Sequence, residues 1–366
     1  MSKDRRPPIP ELVKKHLWLR AGGRCEFRGC NRILYEDDIT QDPINESNIA
    51  HIISWTPTGP RGDIILSEKR ATDIENLMLV CPDHNHLIDA KDQVKKYTVA
   101  LLEEMKREHE EGIRRATELN RQLPKTIIEL KSMIHGQRPS ITLKEESDAL
   151  FPFYPKADKI VIDLCDVEDL ATAKRIIDQK VKKHFSDYSH DEQYAAFIMA
   201  LIPYGCYLGY AIGNKVPVQT FQHFRDTENW KWKDSECDYT IALPQITDRS
   251  TDVNLFISIS GQIDPGLVPN TYPTYAIDAE TPSFDFLQSW DQVTSFRKHY
   301  RKVLDQIRND QGEDVTVHLF PATPNPINFE IGKGIMKNLD PTIVLYDKTS
   351  KSTAYIQAMV LHERIR

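Results

Sequence analysis

The sequence predicts a multidomain protein of mixed α+β and α/β class, and three observations carry that reading. Cysteine, histidine and asparagine crowd into roughly the first 95 residues, where apolar runs are short. From about 98 to 134 the apolar residues recur with a helical period. After about 150, strand-like and helix-like segments alternate, the texture of an α/β domain with a largely parallel sheet. The expected boundaries are 1–122 for the first domain, 123–150 for a helical and polar linker, and 151–366 for the second domain.

In chain order, the N-terminal part is loop-rich, with the apolar runs "NIAHIISW" and "NLMLV" as its strands. "TVALLEEMKREHEEGIRRATELN" and "KTIIELKSMI" read as two helices separated by "RQLP", where Pro124 marks the break. "HGQRPSITLKEESDALFPFYP" is polar and proline-punctuated, as a linker would be. Beyond it, "KIVIDLC", "VNLFISIS", "VTVHLF" and "TIVLYD" read as strands, while "VEDLATAKRIIDQKVKKHF" and "SWDQVTSFRKHYRKVLDQIRND" have helical period. Two strand-helix-strand halves of this kind fit a duplicated unit.

Composition narrows the functional classes. At 366 residues, 40% hydrophobic and 28% charged, the chain has material for two or three soluble domains. No apolar stretch approaches the roughly 20 residues of a membrane span, so no membrane partner is expected. The opening "MSKDRRPPIPEL" lacks the apolar core of a secretory signal. Six cysteines make no disulfide framework at this length, and the expected setting is a reducing cytoplasm. Net charge is -7, yet Lys3, Arg5, Arg6, Lys14, Lys15, Arg20, Arg24, Arg28 and Arg32 cluster near the N-terminus. Such a cluster is either a phosphate-contacting surface or a solvated face.

Cys25-x4-Cys30 and Cys81-x2-His84 form two short-spaced pairs on separate turns, the usual way a small loop-rich domain supplies four tetrahedral ligands to Zn²⁺. A closed four-ligand site leaves no open position for water, so this zinc would be structural and any chemistry would lie elsewhere. Cys165, Cys206 and Cys237 are expected to be isolated buried cysteines.

"NIAHIISW", "DIENLMLVCPDHNHLID" and "LLEEMKREHEEGI" together resemble the HNH endonuclease family, whose fold is ββα-metal. The resemblance covers roughly residues 15–115. Its pattern is a His on the first strand, an Asn just before the second strand's end and a metal-binding residue on the helix; His51, Asn76 and Asn85 take those places. The resemblance implies that His51 is the general base, that Asn76 orients it through loop hydrogen bonds, and that Asn85 offers a carbonyl oxygen to Mg²⁺ or a similar divalent cation. An imidazole suits a base near neutral pH. Asp89, one helical turn on, could add a carboxylate, with His86 a second choice. The chain departs from the family twice: Asn85 stands where a His is usual, and Ala50 precedes the base where many relatives carry an Asp or His.

"VTVHLFPATPNPINFEIGKGI" with "DPTIVLYDK", and "IPYGCYLGYAIGNKVPVQTFQHF" with "WKW", resemble the SAVED domain, a CARF-like sensor of cyclic oligonucleotides. Joined to an HNH head, the chain resembles the HNH–SAVED effectors of bacterial CBASS antiphage defence. The resemblance implies a cyclic di- or trinucleotide activator and a double-stranded DNA substrate; because a head carries one His51 site while a duplex has two strands to cut, a homo-oligomer is expected on activation. Open α/β sheets bind ligands at strand carboxyl ends, which makes Ser260, Gly261 and Thr323 candidate phosphate contacts. Trp230 and Trp232 are candidates for base stacking, and Lys156, Arg225 and Lys333 for phosphate pairing. Each could equally be core or solvated surface. Two rivals stand beside the messenger-activated endonuclease: a modification-dependent restriction enzyme with a DNA-reading C-terminal domain, and a non-catalytic zinc module that only binds DNA. The acidic runs "DLCDVEDL" and "DSECD" speak against a DNA reader after 150.

Overall fold

A computed structural model describes residues 7–37, 39–119, 124–186, 192–235, 237–245, 248–348 and 353–364. The chain divides into two units, Met1–Arg121 and Gln122–Arg366. Among the described residues no helix is long and apolar enough to cross a membrane.

The first unit opens with α1 (Glu11–Arg20), which buries Leu17. A long loop then leads to β1 (Asn48–His51). After the single turn α2 (Leu66–Lys69) come β2 (Leu77–Val80), α3 (Pro82–Asp89) and α4 (Val99–Leu119). β1 and β2 pair antiparallel, with Asn48 opposite Val80 and His51 opposite Leu77. All four residues of β2 are buried, so this strand is the floor of the unit. Pro82 takes the first turn of α3, where its missing N–H is not needed, and the chain passes from strand to helix at Cys81. Leu17, Leu34, Ile52, Leu77, Leu79, Ile88 and Leu102 close the core. Each such side chain contributes about 1.5–3 kcal/mol when fully buried.

The second unit holds two sheets. β3 (Pro124–Lys131), α5 (Leu143–Leu150), β4 (Tyr154–Pro155), β5 (Ile160–Asp163) and α6 (Leu170–Phe185) lead into β6 (Gln193–Met199), α7 (Ile202–Ile212) and β7 (Val218–Phe221). β3 pairs in parallel with β4, β5 and β6, and β6 with β7. The second sheet is built from β8 (Tyr239–Ala242), β9 (Asp252–Ser258), β10 (Thr274–Ala279), then α8 (Trp290–Gln311), β11 (Thr316–Ala322), α9 (Asn325–Lys333), β12 (Thr342–Asp347) and β13 (Ile356–His362). Its order is β13-β12-β11-β9-β10-β8, with the inner four strands parallel and both edges antiparallel. α7 and α9 cross backbone to backbone. A Cβ on Gly209 would lie 1.9 Å from the Phe329 carbonyl oxygen, and one on Gly332 1.8 Å from that of Cys206. Only glycine allows this approach.

One expectation fails here. "KTIIELKSMI" is not a helix: Lys125–Lys131 form most of β3, the strand to which β4, β5 and β6 all bond. Ile127, Ile128 and Leu130 are fully buried, and a parallel strand covered on both faces loses the period-2 signal that would distinguish it from a buried helix. Residues 123–150 are therefore no helical linker, since they supply β3 and the capped helix α5. Cys165 and Cys206 are buried as expected, but Cys237 is exposed.

Candidate functional site

The first unit brings the two predicted metal pairs to one point. Single ligand atoms from Cys25, Cys30, Cys81 and His84 all lie within 4.8 Å of one another. His84 Nδ1 sits 3.1 Å from Cys81 Sγ and 3.6 Å from Cys25 Sγ. The His84 ring stacks on Phe27, with centroids 4.0 Å apart and planes 9° apart. Local structure explains the convergence. The Cys25 and Glu26 turn docks on β2 through backbone bonds (Glu26 N–H to Leu79 O, 2.9 Å), while Cys81 caps α3 and its N–H points at Cys25 Sγ, 3.3 Å away. Burial pushes the Cys25 thiol up to about 12, against pulls from the Cys81 and Phe27 backbone N–H groups. Burial likewise keeps the His84 imidazole below its ordinary value and so neutral, the ligating form. Three thiols and a neutral imidazole converging in a mostly buried pocket are a donor set that fits Zn²⁺. Bound there, the ion would fasten the N-terminal turn to the start of α3.

His51, Asn76 and Asn85 lie on adjoining elements of the same unit. His51 ends β1 and is 8% exposed. Its Nε2 lies 2.9 Å from the Ala71 carbonyl oxygen; a carbonyl only accepts, so Nε2 carries a proton. Asn76 is fully buried and stands immediately before β2 begins, not near its end as the family pattern led us to expect. Its carboxamide accepts from Ile53 N–H (2.8 Å) and donates to the carbonyls of Ile53 and Arg70 (3.0 Å each). The segment that follows His51 is thus fixed to the loop that receives the His51 ring. Asn85 is half-buried on α3, and His86 is exposed.

A residue that the sequence reading missed ties these parts together. Arg61, in the left-handed region at φ 55°, has a side chain only 4% exposed. Its guanidinium donates to Ile52 O (2.7 Å), Ile88 O (2.6 Å), His51 O (3.3 Å) and Asp89 Oδ1 (2.6 Å). It therefore clamps the end of β1 to the end of α3. Asp89, expected to be a metal ligand, has one oxygen engaged by this clamp. Among the described residues the Cys/His group is the only cluster of three or more His, Cys, Asp or Glu placed to hold a metal. A divalent cation near Asn85 would have that carboxamide oxygen and the shared Asp89 carboxylate. Such a sparse donor set suits Mg²⁺, which keeps several waters and takes other contacts from substrate phosphate. The predicted basic surface is largely neutralised: Arg20 pairs with Glu75 and Glu110, Arg28 with Glu104 and Glu108, and Arg32 with Glu46. Lys3, Arg5 and Arg6 lie outside the described residues.

The predicted ligand residues of the second unit do not form one cluster. Ser260 and Gly261 follow the carboxyl end of β9, where a side chain on Gly261 would meet nothing within 4 Å. Thr323 follows β11, but it is buried and its hydroxyl is committed to the Asn328 side chain, so it is not the open phosphate contact expected. Trp230 is 1% exposed and packs edge-on against Phe197, so it is core and not a stacking platform. Trp232 is half-buried, with its indole N–H on the Thr220 carbonyl. Arg225 is exposed over the Phe284 ring. Lys156 pairs with Glu192 (3.3 Å), and Glu192 stands in the wall of the cavity that Lys333 also lines, so these two candidates lie near one place.

The chain thus joins a unit with two largely parallel sheets to a smaller unit that carries a Cys/His cluster. The SAVED family model, described as "SMODS-associated and fused to various effectors sensor domain", matches residues 177–361, just over half of the sequence, and the chain belongs to that family. Among solved structures it is similar to the Acinetobacter baumannii Cap4 SAVED/CARF-domain containing receptor with the cyclic trinucleotide 2'3'3'-cAAA (14% identity, 82% of this chain and 71% of that chain, TM-score 0.43). It is similar also to that receptor with 3'3'3'-cAAA (14%, 82% and 72%, 0.43). A third is the Moraxella osloensis Cap4 receptor (13%, 75% and 60%, 0.40). No curated protein sequence matches the chain.

Proposed function

We propose that the chain is a metal-dependent DNA endonuclease switched on by a cyclic oligonucleotide, acting in bacterial antiphage immunity. The observation that carries the nuclease half is the anchored His51. Its Nε2 is held on the Ala71 carbonyl and its strand end is tied by Asn76 and Arg61, an anchored imidazole of the kind a base for water beside a scissile phosphodiester would need. His51 takes the water proton as the oxygen attacks phosphorus, and Asn76 and Arg61 hold the imidazole in place. A divalent cation at Asn85 and Asp89 would supply positive charge to the leaving oxygen. Zinc at Cys25, Cys30, Cys81 and His84 would keep α3 in register with the N-terminal turn.

The sensing half rests on membership of a sensor family described as fused to effectors. Messenger bound near Ser260 and Gly261 would favour an assembled state in which heads pair, because one His51 site per chain must serve both strands of a duplex. A ligand shifts such an equilibrium only by binding the assembled state more tightly. Cyclic di- and trinucleotides, the 3'3'3'-cAAA of the Cap4 receptor among them, are the probes. The test is light scattering with and without each probe, alongside a plasmid-nicking assay. Full cleavage by a ligand-bound monomer would refute the assembly step.

A further inference from the structure

A cavity of about 370 Å³ opens at the amino ends of three adjacent parallel strands: Lys125 near the start of β3, Gln193 and Tyr194 on β6, and Val218 and Gln219 on β7. Trp290 and Arg297 of α8 and Lys333 of α9 complete the wall. Ser260 and Gly261 follow the carboxyl end of their strand, so the cavity is a separate place in the unit.

Its charge is unbalanced. Lys125 is 6% exposed, and its ammonium donates to Gln219 Oε1 at 2.6 Å and sits 3.9 Å from the Phe153 ring centroid. Among the described residues neither Lys125 nor Lys333 has a carboxylate partner within ion-pair distance. The two carboxylates nearby are already engaged. Glu192 holds Lys156 and accepts from the Tyr194 hydroxyl, and Glu330 takes Arg297 in a two-pronged pair at 2.7 and 2.5 Å. Burial holds both lysines below the usual range, with Glu330 partly opposing it at Lys333. Taking an ammonium out of water is costly unless an anion compensates it. A buried Lys125 and a half-buried Lys333 on one cavity, with the Arg297 guanidinium 4.9 Å over the Trp290 ring centroid in the same wall, therefore form a place where an anion gains more than it loses.

We propose that this cavity binds a phosphate-bearing ligand of about nucleotide size, its phosphate held between Lys125 and Lys333 and its remainder lying beside the Arg297–Trp290 pair. The volume is in the range of small-molecule sites and too small for a duplex. Two sources share this chemistry: a free nucleotide, or a phosphodiester of the cyclic messenger. The inference does not depend on the nuclease reading, since it uses only residues of the second unit.

The test is calorimetric titration of the full chain with pyrophosphate, AMP and 3'3'3'-cAAA, repeated on Lys125→Met and Lys333→Met, with the exposed Lys302→Met as control. At least one probe should bind the parent protein, with affinity falling roughly ten-fold or more in each lysine variant and unchanged in the control. Loss confined to pyrophosphate and AMP assigns the site to a free nucleotide, and loss of cAAA binding assigns it to the messenger. A second measurement needs no variant: acylation of the parent protein followed by mass spectrometry should show Lys333 protected by the bound probe and Lys337 not. Binding of no probe, binding unaltered in both variants, or equal labelling of Lys333 with and without a bound probe would overturn the proposal.

Discussion

Replacing Arg61 with methionine removes a single buried cation and tests whether the candidate site is one mechanical piece. The guanidinium makes two short bonds to main-chain carbonyls, 2.7 Å to Ile52 and 2.6 Å to Ile88, and a longer one of 3.3 Å to His51. The Asp89 arm adds little, because that carboxylate is 40% exposed and returns to water when released. Bonds from a charged donor are worth about 1.5–3 kcal/mol each, so the two short ones set a loss of about 3–6 kcal/mol in local stability. Methionine fills much of the volume but leaves those carbonyls unsatisfied. Hydrogen exchange of peptides covering 48–55 and 82–90 should then accelerate by roughly two to four orders of magnitude, with peptides of the second unit unchanged. Arg61→Lys, which can reach fewer acceptors, should fall between. Exchange within a factor of about three of the parent in both segments would show that Arg61 does not hold β1 to α3.

Other outcomes follow from the same geometry. His51→Ala should lower DNA cleavage by roughly two to four orders of magnitude in a protein that still folds, melting somewhat earlier because the Ala71 carbonyl loses its partner; near-parental cleavage would move the base role to another residue. Cys25→Ser and Cys81→Ser should lose zinc and yield an unstable first unit, because a structural metal contributes folding free energy directly. Elemental analysis of the parent protein finding no zinc would refute that claim. Glu146 and Glu129 share Lys159 in a buried cluster (2.5 and 2.7 Å), and burial raises the Glu146 carboxyl to about 7. A raised carboxyl binds its proton more tightly folded than unfolded, so its stabilising effect is complete below about pH 4.5 and fades as pH rises through about 7. Glu146→Gln should flatten the pH dependence of melting between roughly pH 5 and 8, and an unaltered slope would contradict the assignment.

The two halves of the chain were unequally legible. Metal-ligand spacing survives in sequence because Cys25, Cys30, Cys81 and His84 each come from a tight turn or a helix start, where local chain geometry sets the distances. The strands β9, β11 and β12 were readable as short apolar runs, whereas β3 was not, since burial on both faces removed its alternation. Arg61 could not be found because its acceptors are backbone carbonyls of residues distant in sequence, which leave no side-chain pattern. Trp230 misled for the opposite reason: an aromatic in a polar stretch looks exposed, and only packing against Phe197 places it inside. The lysine cavity joins Lys125 to Lys333 across more than half the chain and has no local signature.

The central claim is that a signal received by the second unit turns on cutting by the first. Its most direct test is incubation of the full chain with supercoiled plasmid, Mg²⁺ and a panel of cyclic di- and trinucleotides, run beside His51→Ala. The account predicts plasmid cleavage with a particular cyclic nucleotide, none without it and none from the variant. Cleavage that needs no nucleotide, or that persists in His51→Ala, would contradict it, as would an intact plasmid under every nucleotide in the panel.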